Sequence, residues 1–420
     1  MISSDTILEF LIKRKGFIIF TLLKVLIMIL GLITNVVIVR KLSVGDYGIF
    51  SLIFMLIGLI TTFGFSWSSS SILYYGSKEK AKHGSINKTF WARSIIIFLS
   101  LIIITLLFLI FGKQINLYVG LNVSFLILIW LYVSVAEDYL SQYFLAVNKQ
   151  VLSTLLSITA KIIYLLLIST ISFDVKTLLV INIISHASVI FYIFKIDNKD
   201  VGRFEFDRLW FKEVLNFSLW QLFGFSGLYL INFGDTAVIK HFMTTEDVGI
   251  YNAAYKLFTA IAGFAYLISS YYATNVSSYF LNRDYNKINI FFYKERLIIF
   301  SLSIIVHMFI IAFSKLIIIT IYGVRYLDAV KIFNVLMIGS MFNYLSVFYV
   351  LYYNTNDKYK ILQTLNIIQA LVNLGLDVIF INFFGLIGPA IATTIAMLSS
   401  FLFSFLYCEK KIRNNSCEIQ

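Results

Sequence analysis

Apolar and polar positions in this chain are segregated into long blocks. Runs of about twenty residues rich in Ile, Leu, Phe and Val, apolar on every helical face, are separated by short polar stretches. Blocks of that length predict bilayer-crossing helices, because about 20 residues at ~1.5 Å each match a hydrocarbon core of ~30 Å. A membrane barrel would instead show alternating segments of about ten residues. The pattern predicts helices near 16–39, 46–66, 92–112, 119–141, 152–172, 177–195, 214–234, 250–272, 295–314, 331–352, 361–382 and 385–407. The fold class is therefore all-α and polytopic, with about twelve transmembrane helices. The apolar stretch Lys315–Gly323 is short, and two readings stand: an interfacial piece or an extension of the ninth helix. The run that follows Lys13, Arg14 and Lys15 is too long for a signal-peptide core, so it reads as a retained first helix.

Composition agrees with the pattern. The chain is 60% hydrophobic and 13% charged, about half the ~25% charged residues of a soluble domain. The net charge of +12 would suit nucleic acid, but the bases lie in short loops between apolar runs, so membrane orientation accounts for them. One set of loops holds 23 Lys and Arg, clustered at Lys13–Lys15, Lys78–Arg93, Lys195–Lys212, Arg283–Arg296 and Lys410–Arg413, and the alternate set holds 8. The positive-inside rule then places both termini of this multi-pass membrane protein in the cytoplasm. Cys408 and Cys417 form no framework, and His83, His186, His241 and His307 show no ligand spacing. Neither a metal site nor a cofactor is expected.

A weak internal repeat divides the chain. Asp46-Tyr47-Gly48-Ile49-Phe50 returns as Asp247-Val248-Gly249-Ile250-Tyr251, and Ile86-Asn87 with Ile96-Ile97-Phe98 returns as Ile288-Asn289 with Ile298-Ile299-Phe300. The offsets are nearly half the chain, which implies six helices duplicated to twelve. An even number per half relates the halves by a pseudo-two-fold along the membrane normal. The expected organisation is a six-helix lobe over 1–197, a cytoplasmic linker over 198–212, a second six-helix lobe over 213–408 and a cytoplasmic tail over 409–420.

Ionisable residues at membrane depth cost at least ~2.5–3.5 kcal/mol at a helix centre and mark cavities or partners. Lys24, Lys161 and Lys256 lie too far inside their segments for easy snorkelling, and three such cations suggest an anionic ligand. Asp235 and Asp377 are candidates for ion coupling. Glu137 and Asp138 read equally well as residues that reach water at a helix end. His186 and His307 read first as neutral imidazoles bonded to a neighbouring helix.

Three sequence elements carry a family resemblance. The stretch Arg40-Lys41-Leu42-Ser43-Val44-Gly45-Asp46-Tyr47-Gly48-Ile49-Phe50 resembles the N-terminal signature of polysaccharide flippases, with Lys41 interrupting the usual Arg-Leu. Tyr322-Gly323-Val324-Arg325-Tyr326-Leu327-Asp328-Ala329 resembles a central element of theirs. Asn382-Phe383-Phe384-Gly385-Leu386-Ile387-Gly388-Pro389-Ala390-Ile391-Ala392-Thr393 resembles a late one, with Pro389 where Ala is usual. The resemblance is to the O-antigen (Wzx-type) flippases of the multidrug/oligosaccharidyl-lipid/polysaccharide exporter superfamily. It implies a polyprenyl-pyrophosphate-linked oligosaccharide as substrate, such as the O-antigen unit of lipopolysaccharide, moved by alternating access without catalysis. It also implies cavity-facing cations on the first and eighth helices, where Lys24 and Lys256 lie, with Lys161 as a further candidate. Na⁺ or H⁺ are the candidate coupling ions, and other glycan-assembly membrane proteins the candidate partners besides lipid. Two rivals stand beside this reading. A drug/cation antiporter of the same superfamily should have an acidic, aromatic cavity. An O-antigen polymerase should carry a large outer loop rich in Arg.

Overall fold

The computed structural model describes residues 15–356 and 358–417. Lys13, Arg14 and the last residues of the expected cytoplasmic tail lie outside these. The elements run α1 (Lys15–Lys41), α2 (Val44–Gly64), α3 (Ser69–His83), α4 (Asn87–Val119), α5 (Ser124–Ala146), α6 (Gln150–Thr170) and α7 (Val175–Ala187), which continues as a 3₁₀ segment, Ser188–Lys195. They continue with α8 (Arg208–Phe242), α9 (Thr245–Leu281), α10 (Tyr285–Ile290), a π turn over Phe291–Glu295, α11 (Arg296–Ala312), α12 (Ser314–Tyr322), α13 (Ala329–Thr355), α14 (Tyr359–Phe384) and α15 (Gly388–Cys417). Eleven stretches are long and apolar enough to cross a membrane, and the last, Lys360–Ile412, contains both α14 and α15. The twelve expected crossings thus correspond to twelve long helical segments among the described residues. This is a multi-pass α-helical membrane protein.

Helix ends depart from the hydropathy pattern for a physical reason. Backbone hydrogen bonding continues past the point where side chains turn polar, so α9 runs 37 residues, about 55 Å, well beyond the bilayer core. The 67–91 stretch, read as a loop, contains α3. Its buried positions Ser69, Ile72, Gly76 and Glu79 recur at helical spacing along one stripe, while Lys78 and Lys82 face away. Low hydropathy hid this helix. The Lys315–Gly323 stretch resolves into the separate helix α12.

The described residues divide into two compact units. The first contains α1 up to Leu42, and Leu56–Phe225. The second contains Ser43–Met55 and the chain from Ser226 on. In the first unit α3 does more than cover a surface. The Glu79 carboxylate accepts the backbone N–H groups of Lys88 and Thr89 (2.8 and 2.9 Å) and the Thr89 hydroxyl, so a neighbouring helix caps α4. The linker is bound to this unit as well. Asp200 accepts from Lys80 at 2.9 Å and its carbonyl accepts Ile86 N–H at 2.9 Å. Asp207 caps α8 through Leu209 and Trp210 N–H, and its bond from Lys88 holds the carboxyl below its ordinary range.

In the second unit α13 is central: 56% of its most apolar window is buried, more than in any other crossing segment, and it packs on α9, α11, α12 and α15. The repeated motif explains itself here. Ser43 and Asp46 exchange bonds at the start of α2 (2.7 and 3.1 Å), and Thr244 and Asp247 form a capping box at the start of α9. Gly48 faces the backbone carbonyl of Thr245, and Gly249 faces that of Val44. The two copies of one sequence motif therefore cross each other reciprocally. Tyr326 of the central family element is fully buried and stands edge-on to Tyr47 of the first, with centroids 6.3 Å apart.

Arg296 and Glu409 form an ion pair at 2.7 Å in the same unit, although the sequence pattern counted Arg296 among loop cations. The guanidinium also lies over the rings of Phe292 and Tyr349, and the Tyr349 hydroxyl donates to Glu409 at 2.8 Å. Removing one partner of a buried pair strands the other, at a cost of about 3–5 kcal/mol. Arg296→Met is therefore expected to lower the thermal unfolding midpoint in detergent sharply. Arg296→Met combined with Glu409→Leu should recover most of that loss. Equal loss in the single and double variants would show that the pair is not what the site needs.

Candidate functional site

Asp235 and Asp377, 142 residues apart in sequence, meet inside the second unit. Four helices supply the site. Asp235 lies seven residues before the end of α8 and Tyr251 six residues after the start of α9, so the α8–α9 turn sets them at one depth. Asn373 and Asp377 sit at i and i+4 on one face of α14. Thr393 lies in the second turn of α15, after a tight connection in which Gly385 takes φ 59° and Pro389 falls in the helix's first turn. Asp377 is fully buried, and Asp235, Asn373 and Thr393 are all under 5% exposed.

Asp235 is the acceptor at the centre. It receives hydrogen bonds from the Tyr251 hydroxyl, the Thr393 hydroxyl at 2.9 Å and the Asn373 amide at 2.7 Å. The same amide reaches Asp377 at 3.3 Å. The shared Asn373 amide brings the two carboxyl groups together. None of the ion pairs among the described residues includes either acid. Two buried acceptors, Asp377 Oδ1 and Asn373 Oδ1, have no hydrogen-bond donor. Buried acceptors without donors are expensive, and adjacent carboxylates without a counter-charge more so. A shared proton or a small hard cation relieves both conditions. The donor set is entirely oxygen: two carboxylates, one carboxamide and hydroxyls. It suits H⁺ or an alkali ion rather than a soft transition metal. Asp235, Asp377, Asn373 and Thr393 are the residues that could hold it.

The three lysines are placed differently. Lys161 on α6 is half-buried in the first unit, with its ammonium beside Gly31 of α1 and within the field of Glu137. Lys24 lies seven residues before Gly31 on α1 and is exposed. Lys256 is exposed on α9 in the second unit, next to Tyr255. Glu137 and Asp138 do not simply reach water: Asp138 pairs with fully buried Arg93 at 2.6 Å, and Glu137 with His186. His307 is bonded to the Ser303 carbonyl at 2.7 Å and the Ser340 hydroxyl at 3.1 Å, a packing role. Sequence reasoning named Asp235 and Asp377 but missed Tyr251 and Thr393. The Asn373/Asp377 spacing in an apolar helix was the available signal for joining Asn373 to the site.

Twelve long apolar helical segments among the described residues, with buried acids in the second unit, define a polytopic α-helical membrane fold. The fold is similar to that of a lipid II flippase MurJ in an inward closed conformation (TM-score 0.73, 20% identity, covering 95% of this chain and 90% of that one). It is also similar to an inward-facing multidrug resistance MATE family transporter of the MOP superfamily (TM-score 0.69, 17% identity, 93% and 95% covered). A MOP superfamily transporter from Pyrococcus furiosus, described as having a binding pocket of reverse polarity, matches with TM-score 0.61 and 15% identity over 95% of both chains. None of the curated proteins compared with the chain matches it. The family is shown by sequence: residues 14–274 match the model for polysaccharide biosynthesis proteins, and the chain belongs to that family.

Proposed function

We propose that this protein is a flippase. It moves a polyprenyl-pyrophosphate-linked oligosaccharide, such as an O-antigen repeat unit, from the cytoplasmic to the outer face of a bacterial inner membrane. One observation carries the reading: a chain of the polysaccharide biosynthesis family consists almost wholly of membrane-crossing helices. A family that builds glycans needs its lipid-linked units on the far side of the membrane. The loop charges favour cytoplasmic termini.

In this reading the polyprenyl tail stays in lipid while the headgroup crosses. Lys24, Lys256 and Lys161 hold the pyrophosphate as point charges. Two lobes, over 1–197 and 213–408 and joined by the 198–212 linker, alternate between inward and outward access. An inside-negative potential favours export of an anion by ~2.3 kcal/mol per charge per 100 mV. Na⁺ or H⁺ at Asp235 and Asp377 supplies the coupling that resets the transporter. No covalent bond is made or broken. MurJ, whose fold this chain shares at 20% identity, is named as a lipid II flippase, which supports a substrate of that chemical type.

Deleting the gene is expected to leave lipid-linked oligosaccharide on the cytoplasmic face while its synthesis continues. Lys24→Ala combined with Lys256→Ala should reproduce the phenotype at equal expression. Single-unit glycans already on the outer face of the deletion strain would point to a polymerase instead. Wild-type surface glycan in the double variant would remove the lysines from the substrate site.

A further inference from the structure

The stretch from Lys195 to Lys212 carries charges that the reading above does not use. It holds five bases, Lys195, Lys199, Arg203, Arg208 and Lys212, and four acids, Asp197, Asp200, Glu205 and Asp207. In sequence they nearly cancel, but the fold separates them. Asp200 is buried and receives Lys80 at 2.9 Å and Lys149 at 4.0 Å. Lys88 takes Asp207 at 2.9 Å and Glu205 at 3.6 Å, and the Asn87 amide donates to Glu205 at 3.1 Å. Three of the four acids are thus neutralised by bases of α3, α4 and the α5–α6 turn. Asp197 receives the backbone N–H of Lys199. The five bases stay exposed, and none of the ion pairs among the described residues includes one of them.

Apolar side chains accompany the bases. Phe191 and Phe194 lie at i and i+3 of the 3₁₀ segment, on one side of it, while Val189 and Tyr192 pack into the core of the unit. Phe204 stands edge-on to Trp91 with centroids 5.3 Å apart, and Phe206 lies against Phe211 at 5.6 Å. These four phenylalanines and Leu209 are each more than half uncovered by the described residues. Exposed apolar side chains in such a group mark an interaction surface. Interleaved with Lys and Arg, they have the composition of a membrane interface. The chain's course agrees: the preceding crossing segment, Val175–Lys195, ends where the stretch begins.

We propose that residues 195–212 form a binding surface for anionic phospholipid headgroups of the membrane that the chain itself spans. Lys195, Lys199, Arg203, Arg208 and Lys212 take the headgroup phosphates, and the exposed rings lie at the acyl boundary. Lys80, Lys88 and Lys149 create the surface indirectly, by neutralising acids that would otherwise repel the lipid. The acids left beside the five bases are Asp197 and Glu213, so five minus two gives a net of three positive charges. Each Lys or Arg near an anionic surface strengthens binding by about fivefold, and a zwitterionic headgroup gains little of this. The surface lies wholly in the first unit and does not depend on what the protein transports.

The test titrates the full chain, in dodecyl maltoside, with phosphatidylglycerol or phosphatidylcholine and counts bound lipids by native mass spectrometry. The first phosphatidylglycerol should bind the native chain at least about tenfold more tightly than the first phosphatidylcholine. Lys195→Gln, Lys199→Gln and Arg203→Gln together should remove that preference. Lys195→Arg, Lys199→Arg and Arg203→Lys together should keep it, which separates charge from fold. Lys78→Gln, Lys358→Gln and Lys410→Gln together neutralise three exposed bases elsewhere and should also leave it. Lys88→Met touches none of the five bases but releases Glu205 and Asp207, and should weaken the preference several-fold. Equal affinity of the native chain for the two lipids overturns the surface. So does a preference that survives the glutamine triple at 195, 199 and 203, that the charge-keeping triple loses, or that the control triple lowers as much. A native preference in Lys88→Met overturns the role given to the inward ion pairs.

Discussion

Asp235→Asn is expected to cut glycan export by about 5- to 150-fold at equal expression, the range of a coupling free energy of about 1–3 kcal/mol. The substitution keeps volume and changes two things. It removes the charge that receives the Tyr251, Thr393 and Asn373 donors, and it turns one oxygen into an NH₂ group facing hydroxyls and an amide already donating. Rotation of Thr393 or Tyr251 can relieve part of that clash but cannot restore a cation site. Asp377→Asn should be milder, because Asp377 accepts a single donor from Asn373 and its Oδ1 has none. Ion identity follows from the same proteins. A ligand at 100 times its dissociation constant stabilises the folded state by about 2.7 kcal/mol. If the ion is Na⁺, adding NaCl in place of KCl raises the unfolding midpoint of the native chain and not of either variant. If it is H⁺, the midpoint responds to pH and not to Na⁺. Native ion dependence and full export in Asp235→Asn would end the assignment.

The fold was largely legible because membrane helices advertise themselves. A block of about twenty apolar residues has few alternatives in lipid. What stayed hidden is what hydropathy does not weigh. α3 mixes Ser, Lys and Tyr, so only its buried stripe of Ser69, Ile72, Gly76 and Glu79 marks it. Arg93 and Arg296 sit where a charge count reads loop, yet both are buried against acids on other helices. The acid site was half legible. Single acids in apolar helices flagged Asp235 and Asp377, but their meeting depends on how α8, α9, α14 and α15 pack, which no local pattern encodes. Thr393 and Tyr251 were invisible for a similar reason: Thr and Tyr are common in such helices, and only position makes them donors. The repeat, by contrast, carried structural content beyond duplication, because its glycines and caps form one contact.

That contact should be the most sensitive packing point of the second unit. A Cβ on Gly48 would stand 1.9 Å from the Thr245 carbonyl oxygen, and one on Gly249 2.3 Å from that of Val44. Both obstacles are backbone in the first turn of a capped helix, so no side chain can rotate away and α2 and α9 must separate. Overpacking a core usually costs about 1–3 kcal/mol, and a backbone clash belongs at the upper end of that range. Gly48→Ala and Gly249→Ala are each expected to lower the thermal midpoint and the folded yield. Because either one already forces the helices apart, the double variant should lose clearly less than the sum of the singles, the signature of two residues sharing one contact. Gly45→Ala is the control. Its Cβ would meet only the Glu246 side chain at 3.6 Å, an ordinary contact, and alanine is the better helix former. It should be neutral or slightly stabilising. If Gly48→Ala proves as stable as Gly45→Ala, or if the two glycine effects simply add, the reciprocal crossing does not hold these helices together.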